Sequence, residues 1–356
     1  MHLLTCLCHA VFYVRITSLQ DNDAESAYVA SDTLGPVVSS RTDLEEDYTH
    51  ITELAAAAVT AGVRSLDLSE CRLNTIAAAA FLHAAVEASS SVAAAAVAVA
   101  ALECVRFDRN PIFGDVCGSG SAGAATVTSR RADSHMRECA RFFSALQGAS
   151  AVRTLSFNDT GMGPAAAESL VASLPAHVTS ISALNNALGA DGVRSLTHYL
   201  LDTNMELHTL CGLEEGQTRL DWRRSAKGPS DMALLACDLA ASAVDGRAAA
   251  ASALSDIALD GCGSVTGTVF GATGGGGASA QSAAGAEEDV LQLDADLSGF
   301  ESFCAALPGS AVVRVSLRSC FVGQAAVALL AEAVGVPAGL LKQQAVGQNL
   351  VVVMEK

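Results

Sequence analysis

The sequence predicts an α/β fold in which short strands and helices alternate along the chain. Three observations support this class: an apolar pattern that repeats in register, helix-forming segments between its copies, and a composition that is 51% hydrophobic but only 4% aromatic. Apolar content this high excludes a disordered acidic protein. Because most apolar residues are Ala, Val and Leu, the composition suits many thin packed layers better than one large aromatic core.

The repeated pattern has apolar residues at positions 1, 4, 6 and 11, and Asn, Cys or Thr at position 9. Positions 4 and 6 place two side chains on one face of a strand, because side chains alternate with period two. The residue at position 9 offers a partner to backbone groups that would otherwise be buried unpaired. The complete copies begin at Val63, Leu102, Val152, Val178 and Val312. Degenerate copies are centred on Leu210, Ile257 and Leu291, and a weaker one on Val14.

This pattern, LxxLxLxx(N/C)xL, resembles the signature of the leucine-rich repeat family. The resemblance covers about residues 63–334, and the spacing of 26 residues between Leu155 and Ile181 is similar to the ribonuclease-inhibitor-like subtype. It implies a horseshoe-shaped solenoid with a parallel sheet on the concave side and helices on the convex side. At position 9, Cys71, Cys262 and Cys320 are expected as buried, unpaired thiols, which favours a reducing compartment.

Residues 1–50 are expected to form an N-terminal cap or leader. Phe12, Val14 and Ile16 alternate with other residue types, which favours a strand. A signal peptide is the alternative, but no Lys or Arg precedes the apolar run. The acidic stretch from Asp21 to Asp47 is expected to be a mobile connection, and residues 336–356 a C-terminal cap or tail.

Residues 51–335 are expected to hold the repeats, with helices between copies. Helices are predicted over Pro164–Leu174, which begins with Pro and is followed by Pro175, over Gly189–Leu200 and over Gly323–Val334. Four segments of different composition are expected to be surface insertions. They are Ala88–Ala101 (predicted as a second Ala-rich helix), Gly118–Ser134, Leu213–Ser230 and Gly271–Gly285.

The charge of the chain bears on its partners. With 21 Lys and Arg against 38 Asp and Glu, the formal net charge is −17. This argues against a nucleic acid or an anionic membrane as the main partner. The apolar stretch Val92–Leu102 is shorter than the roughly 20 residues that cross a bilayer. We therefore expect binding to neither.

Two short motifs suggest catalysis or nucleotide binding, but weakly. Gly118–Gly123 matches GxGxxG, yet it lies in a Ser/Gly-rich insertion rather than between a strand and a helix. Asp159–Gly161 spells the aspartic-protease triplet, yet no second copy supplies the other carboxylate. The sequence predicts a protein that is not an enzyme and needs no cofactor.

Two groupings contain side chains that bind metals. His2, Cys6, Cys8 and His9 would suit Zn²⁺, but a frayed apolar terminus explains them more simply. His135 lies close in sequence to Glu138 and Cys139, where a solvated helix face is the simpler explanation. We therefore predict no metal site.

Function is then expected from a surface. The residues that flank each pair of strand positions 4 and 6 point out of the concave face, which is polar and poor in aromatic anchors. The resemblance implies protein binding, because repeats of this family present extended concave surfaces to other proteins. The residues expected to contact a partner, on this face and in the insertion around Trp222, are Asp67, Arg106, Asp108, Asn158, Arg314, Arg318, Trp222, Arg223 and Arg224.

The predicted function is a protein-interaction scaffold or a structural subunit of a larger assembly in the cytoplasm. Repeats of this subtype recur in axonemal assemblies, which favours a cytoskeletal or ciliary location. Two alternatives stay open. One is a small-GTPase regulator similar to Ran GTPase-activating protein, although that family has a strongly acidic tail and this sequence ends in Val-Val-Val-Met-Glu-Lys. The other is a secreted or surface recognition protein.

Overall fold

The structure, a computed structural model, is a mixed α/β fold with two mainly parallel sheets. It describes residues 14–17, 27–29, 48–94, 102–115, 132–203, 206–243, 249–270, 290–337 and 350–354. The strands are β1 (Val14–Thr17), β2 (Ala27–Val29), β3 (Ser65–Asp67), β4 (Cys104–Arg106), β5 (Thr154–Ser156), β6 (Ser180–Ser182), β7 (Arg219–Asp221), β8 (Asp256–Ala258), β9 (Val269–Phe270), β10 (Val290–Gln292), β11 (Arg314–Ser316) and β12 (Val351–Val353). The helices are α1 (Thr49–Thr60), α2 (Thr75–Ala94), α3 (Cys139–Gly148), α4 (Pro164–Ser173), α5 (Gly189–His198), α6 (Pro229–Ala243), α7 (Ala249–Ser252), α8 (Ser298–Ala306) and α9 (Gln324–Val334), and a π-helix, Tyr199–Thr203, continues α5.

The first sheet has the order β2-β1-β3-β4-β5-β6, in which β3 to β6 run parallel. The position-4 residues of four complete copies stand side by side: Leu66, Val105, Leu155 and Ile181. All four are fully buried. The predicted pattern therefore gives both the strands and their register.

At the N-terminal end of this sheet, β1 pairs antiparallel with β3, so the strand predicted around Val14 is confirmed. β2 pairs with β1 and lies inside the acidic stretch that was expected to be a connection only. The remainder of that stretch, and the possible Zn²⁺ ligands from His2 to His9, lie outside the described residues.

The second sheet has the order β7-β8-β11-β12. β7, β8 and β11 are parallel, with Leu220, Ile257 and Val315 in register, and β12 closes the sheet in the antiparallel direction. β7 corrects the prediction that Leu213–Ser230 is a surface insertion. This segment contains a strand of the core, the side chain of Trp222 is 7% exposed, and α6 begins at its end.

The sequence pattern did not predict this unit because three of its signature positions carry residue types that the pattern does not include. Gln217 stands at position 1, Ser225 at position 9 and Lys227 at position 11. Lys227 is nevertheless buried: its Nζ donates to Asn185 Oδ1 at 3.0 Å and lies 5.1 Å from the centre of the Trp222 ring. A cation over an aromatic face replaces the apolar contact expected there.

Two degenerate copies differ from their predicted arrangement. Around Leu210, residues 209 and 211 only form isolated bridges to β6, so this segment is not a full strand. Around Leu291, β10 pairs antiparallel with β9 in a separate two-stranded sheet, and Leu293 is 46% exposed. The Leu291 copy was therefore wrongly assigned to the parallel sheet, and β8 and β11 are direct neighbours.

Three helices lie close to their predicted positions. α4 begins at Pro164, α5 at Gly189, and α9 ends at Val334, followed by Gly335, whose left-handed φ of 69° is typical of the residue after a helix. α2 is one helix of 20 residues that ends at Ala94, so residues 88–94 continue it and do not begin the predicted second Ala-rich helix; residues 95–101 of that prediction lie outside the described residues. Within the described ranges, no helix combines the length and apolarity needed to cross a membrane.

Two carboxylates outside the helices cap the N-termini of α4 and α9. Asp133 accepts hydrogen bonds from the backbone N–H of Gly163, Ala165 and Ala166 at 2.8 to 3.1 Å. Asp294 makes the same three bonds at the start of α9, beginning at Gly323. Acidic groups are favourable at these helix ends, so Asp133, at the end of the insertion Gly118–Ser134, and Asp294, just after β10, each make a specific contact with the fold.

Residues at position 9 bond carbonyl groups in the first sheet, and Asn110 and Asn186 reach the preceding unit. Asn110 Nδ2 donates to the Leu68 carbonyl at 2.8 Å, and Asn186 Nδ2 donates to the Phe157 carbonyl at 2.7 Å. Thr160 Oγ1 also donates to the Phe157 carbonyl, at 2.9 Å. These bonds satisfy buried carbonyl groups at the points where the chain leaves each strand.

Cysteine performs the same role in the second sheet. Cys262 and Cys320 of this sheet are buried free thiols, as predicted, and Cys71 of the first sheet is also buried and forms no disulfide. Cys262 Sγ donates to the Trp222 carbonyl at 2.9 Å, and Cys320 Sγ donates to the Leu259 carbonyl at 3.0 Å. Burial raises the pKa of Cys320 to about 12, which keeps this thiol protonated as a donor.

The core of the first half corrects the expectation of aromatic-poor layers. Although aromatic residues are few, five fully buried phenylalanines gather between the first sheet and helices α2 and α3. Phe107 stacks on Phe157 with ring centres 5.8 Å apart, and Phe142 meets both rings edge to face. Such aromatic contacts add to the stabilisation from apolar burial alone.

Candidate protein-binding surface

The open face of each sheet, opposite the buried side chains of positions 4 and 6, carries the candidate surface. On the second sheet, Arg219 of β7 stands beside Asp256 of β8, which stands beside Arg314 of β11. Residues directly paired on adjacent strands project to the same face. These three side chains therefore form one row across the sheet.

A second row lies beyond the ends of the same strands. Backbone hydrogen bonds from Arg224 N to the Asp260 carbonyl (2.8 Å) and from Gly261 N to the Arg318 carbonyl (2.7 Å) continue the alignment. Arg223, Asp260 and Arg318 consequently repeat the order arginine, aspartate, arginine. The two rows line one hollow of about 220 Å³.

We call this surface the arginine face. It consists of Arg219, Arg223, Arg224, Arg314 and Arg318 together with Asp221, Asp256 and Asp260. All five arginines are exposed, and five positive against three negative groups give a formal charge of +2. A positive surface on a chain of net charge −17 is a local reversal of the overall field.

Some of these charges are already paired. Arg223 donates from Nε to both carboxylate oxygens of Asp221 at 2.8 and 3.0 Å, and this contact lowers the pKa of Asp221 to about 2. Arg219 and Asp256 approach to 4.0 Å. Asp260 accepts hydrogen bonds from the Ser316 hydroxyl and, at 2.9 Å, from the Arg318 backbone N–H.

Three guanidinium groups remain available. Among the described residues, Arg224, Arg314 and Arg318 have no carboxylate within ion-pair distance of their side chains. Arg224 and Arg318 line a shallow groove of about 690 Å³ with Asp260 and Gly261. Planar guanidinium groups in such a position can bind carboxylates in a bidentate manner.

The structure brings together four of the predicted contact residues and separates the rest. Arg223, Arg224, Arg314 and Arg318 lie on one surface, although the sequence suggested that they belong to an insertion and to a distant repeat. Trp222 was wrongly predicted as a surface anchor, because it belongs to the core of the second sheet. Asp67 and Arg106 lie on the first sheet, where Arg106 is exposed and Asp67 accepts hydrogen bonds from Ser69.

Asp108 and Asn158 form a hydrogen-bonded ladder between units of the first sheet. Asp108 accepts bonds from the Ser156 hydroxyl at 2.6 Å and from the Asn158 backbone N–H at 2.8 Å. Asn158 Oδ1 repeats this arrangement on the next unit, with the Ser182 hydroxyl and the Leu184 backbone N–H, both at 2.8 Å. Burial raises the pKa of Asp108. These side chains are hydrogen-bonded within the fold, so most of the hydroxyl groups in the middle of the first sheet are not available to a partner.

Arg219 and Asp221 were not predicted as surface residues from the sequence. Their signal is the alternation around Leu220 and Trp222, which places both on the opposite side of a strand. The polar residues at the other signature positions conceal it.

Two buried acids of α6 hold the two sheets together. Asp238 accepts hydrogen bonds from the Thr209 hydroxyl at 2.6 Å and from the backbone N–H of Leu210 and Cys211 at 2.8 and 3.1 Å. Desolvation raises the pKa of Asp238 to about 6. Because every donor comes from the end of the first sheet, these contacts are structural.

Asp231 makes the second junction. It accepts hydrogen bonds from the backbone N–H of Asn185 at 2.7 Å and of Gly228 at 2.8 Å, and burial raises its pKa. Lys227 lies nearby and bonds the Asn185 side chain. The last turn of the first sheet is thereby fixed against α6, which follows β7.

The described residues contain no cluster of three side chains suited to binding a metal ion. Cys139, expected on a solvated helix face, is instead buried, and its Sγ donates to the His135 carbonyl at 3.3 Å. His135 Nδ1 lies 3.1 Å from the Pro111 carbonyl. Packing between the loop and α3 explains this group.

Comparison with known proteins adds no assignment. No protein-family model matches the chain, and no curated protein sequence matches it.

Proposed function

We propose that the chain is a leucine-rich repeat protein whose parallel strands form the concave side of a horseshoe-shaped solenoid. The support is the recurrence of one set of contacts. Side chains at position 9 bond the carbonyl group of the preceding unit, whether the residue is Asn110, Asn186, Cys262 or Cys320. A shared hydrogen bond at a shared sequence position is expected of structural repeats that stack on their neighbours.

The function that this geometry supports best is a non-enzymatic scaffold that binds another protein through the open face of the second sheet. The observation that carries the proposal is the arginine face. On the first sheet, the equivalent positions are largely Ser, Asp and Asn residues that are hydrogen-bonded within the fold. Ordering a long, charged side chain costs conformational entropy, so a fold gains little from exposed arginines that have no partner. On the second sheet, Arg224, Arg314 and Arg318 face solvent without an ionic partner among the described residues.

The proposal includes membership of a larger cytoplasmic assembly, with the cytoskeleton or a cilium as the more specific location. A surface that supplies orientation and association rate through charge suits a subunit that docks at a defined place. Apolar contact is available next to it, since Val353 of β12 is 67% exposed and pairs with Arg314.

Site-specific photo-crosslinking tests this proposal. A benzophenone amino acid placed at Val353 reports contacts of the open face, and one at Ala328, exposed on α9, is the matched control on the helical side. We expect the protein, returned to its native extract, to form a discrete cross-linked product from position 353 and not from position 328. Products from position 328 alone would contradict docking on the open face.

A further inference from the structure

We propose that the arginine face binds an extended acidic segment of the partner protein, with one carboxylate on each arginine–aspartate–arginine row. This inference rests on the proposed function and names the chemistry of the partner. Its basis is the order of charge in the two rows, the distance between them and the carboxylate of Asp221 that lies between them.

Each row favours a single anion rather than a continuous polyanion. In the first row Asp256 lies between Arg219 and Arg314, so a bound carboxylate can reach either guanidinium but meets repulsion at the centre. A nucleic acid would place closely spaced phosphates over these aspartates and against a chain of net charge −17. Discrete carboxylates avoid the first cost and reduce the second, because they carry fewer negative charges.

The spacing of the rows sets the spacing of the acids. Asp256 and Asp260 are four residues apart along one chain, which corresponds to about 13 Å at roughly 3.3 Å per extended residue. An extended peptide running along the strands projects residues i and i+4 to the same side at the same distance. Acids four residues apart therefore match the two rows.

Between the rows the surface selects against an acid. Ala258 is flanked there by Asp221 and Ser316. Asp221 retains its negative charge, because Arg223 lowers its pKa to about 2. Residue i+2 of the peptide would face this zone, so a small neutral side chain is preferred. The recognised pattern is acid, any residue, neutral residue, any residue, acid.

Fluorescence anisotropy with defined peptides tests the inference on the full chain. The probe is fluorescein-labelled Gly-Glu-Ser-Ala-Ser-Glu-Gly, and the controls are Gly-Gln-Ser-Ala-Ser-Gln-Gly and Gly-Glu-Glu-Ser-Ala-Ser-Gly, which has the same charge with adjacent acids. We expect the first peptide to bind at least about threefold more tightly than the adjacent-acid peptide, and the Gln peptide not to bind. Its affinity should fall as salt rises, since exposed charges are screened.

Charge reversal locates the binding site. Arg314→Glu/Arg318→Glu changes one arginine in each row, and Arg137→Glu/Arg141→Glu is a control with the same charge change at exposed arginines elsewhere. We expect the first variant to weaken binding at least tenfold and the control less than twofold. Circular dichroism verifies that both fold, which their exposed positions favour.

The contrary results are distinct. Equal weakening by both variants, no binding of the peptide, or tighter binding of a single-stranded RNA oligonucleotide would each overturn this inference. If the peptide fails while position 353 still cross-links a partner, the acidic-segment inference is wrong and the proposed function stands. If position 353 also yields no product, the proposed function fails with it.

Discussion

Replacing Trp222 by alanine removes the largest side chain of the unit that contains β7, which the sequence pattern did not predict. The indole is 7% exposed and lies under the Lys227 ammonium at 5.1 Å. Truncation of a buried tryptophan costs about 3–5 kcal/mol of unfolding free energy, and loss of the cation–π contact accounts for roughly 0.5–2 kcal/mol of this. Trp222→Phe keeps an aromatic ring and should cost less than about 2 kcal/mol.

Urea unfolding followed by far-ultraviolet circular dichroism measures this effect, because the chain has one tryptophan and the variants lose its fluorescence. We expect the unfolding midpoint to fall in the order parent, Trp222→Phe, Trp222→Ala. A loss within about 0.5 kcal/mol for Trp222→Ala, as for an exposed residue, would refute the placement of Trp222 in the core.

Three further predictions concern the core and the junction between the sheets. Burial raises the pKa of Asp238 from 3.8 to about 6, so the folded state holds this proton more tightly than the unfolded state. Its contribution to stability is therefore greatest below pH 4 and declines by up to about 3 kcal/mol as the pH rises through 6, and Asp238→Asn should remove this pH dependence in thermal melts; identical pH profiles would contradict it. Leu155→Asp places a charge at a fully buried position and should cost roughly 3–5 kcal/mol, measured by limited proteolysis, and a variant as resistant as the parent would show that the register is wrong. Gly299→Ala puts a Cβ 1.8 Å from the Pro229 carbonyl oxygen, so its melting temperature should fall, whereas Gly309→Ala, whose nearest contact is 3.6 Å, should change little; equal effects would contradict the close packing of α8 on α6.

The strands could be predicted where all five signature positions carry suitable residues. Leu66, Val105 and Leu155 stand in register because each pair of positions 4 and 6 has one buried face, and a shift by one residue would expose it. The same rule failed at Leu291, where apolar alternation is present but the strand pairs with β9. Alternation identifies a strand but does not identify its partner.

The arginine face could be predicted only in part, because its assembly depends on strand order. Arg314 and Arg318 were recognised as surface residues, and Arg223 and Arg224 as exposed charges. Their proximity follows from two facts that the sequence pattern did not show: β7 is a strand, and β8 is the direct neighbour of β11. Lys227 stands where the pattern requires an apolar residue, and apolar periodicity gives no sign that this side chain is buried over the Trp222 ring.

The proposed role of the open face of the second sheet is to bind a protein partner through its arginines. The most direct measurement is the yield of the cross-link from position 353 in the parent, in Arg314→Glu/Arg318→Glu and in Arg137→Glu/Arg141→Glu, determined side by side. We expect the product to persist in the parent and in the control, and to fall at least tenfold when the charges of Arg314 and Arg318 are reversed. An unchanged yield in the Arg314→Glu/Arg318→Glu variant would contradict it.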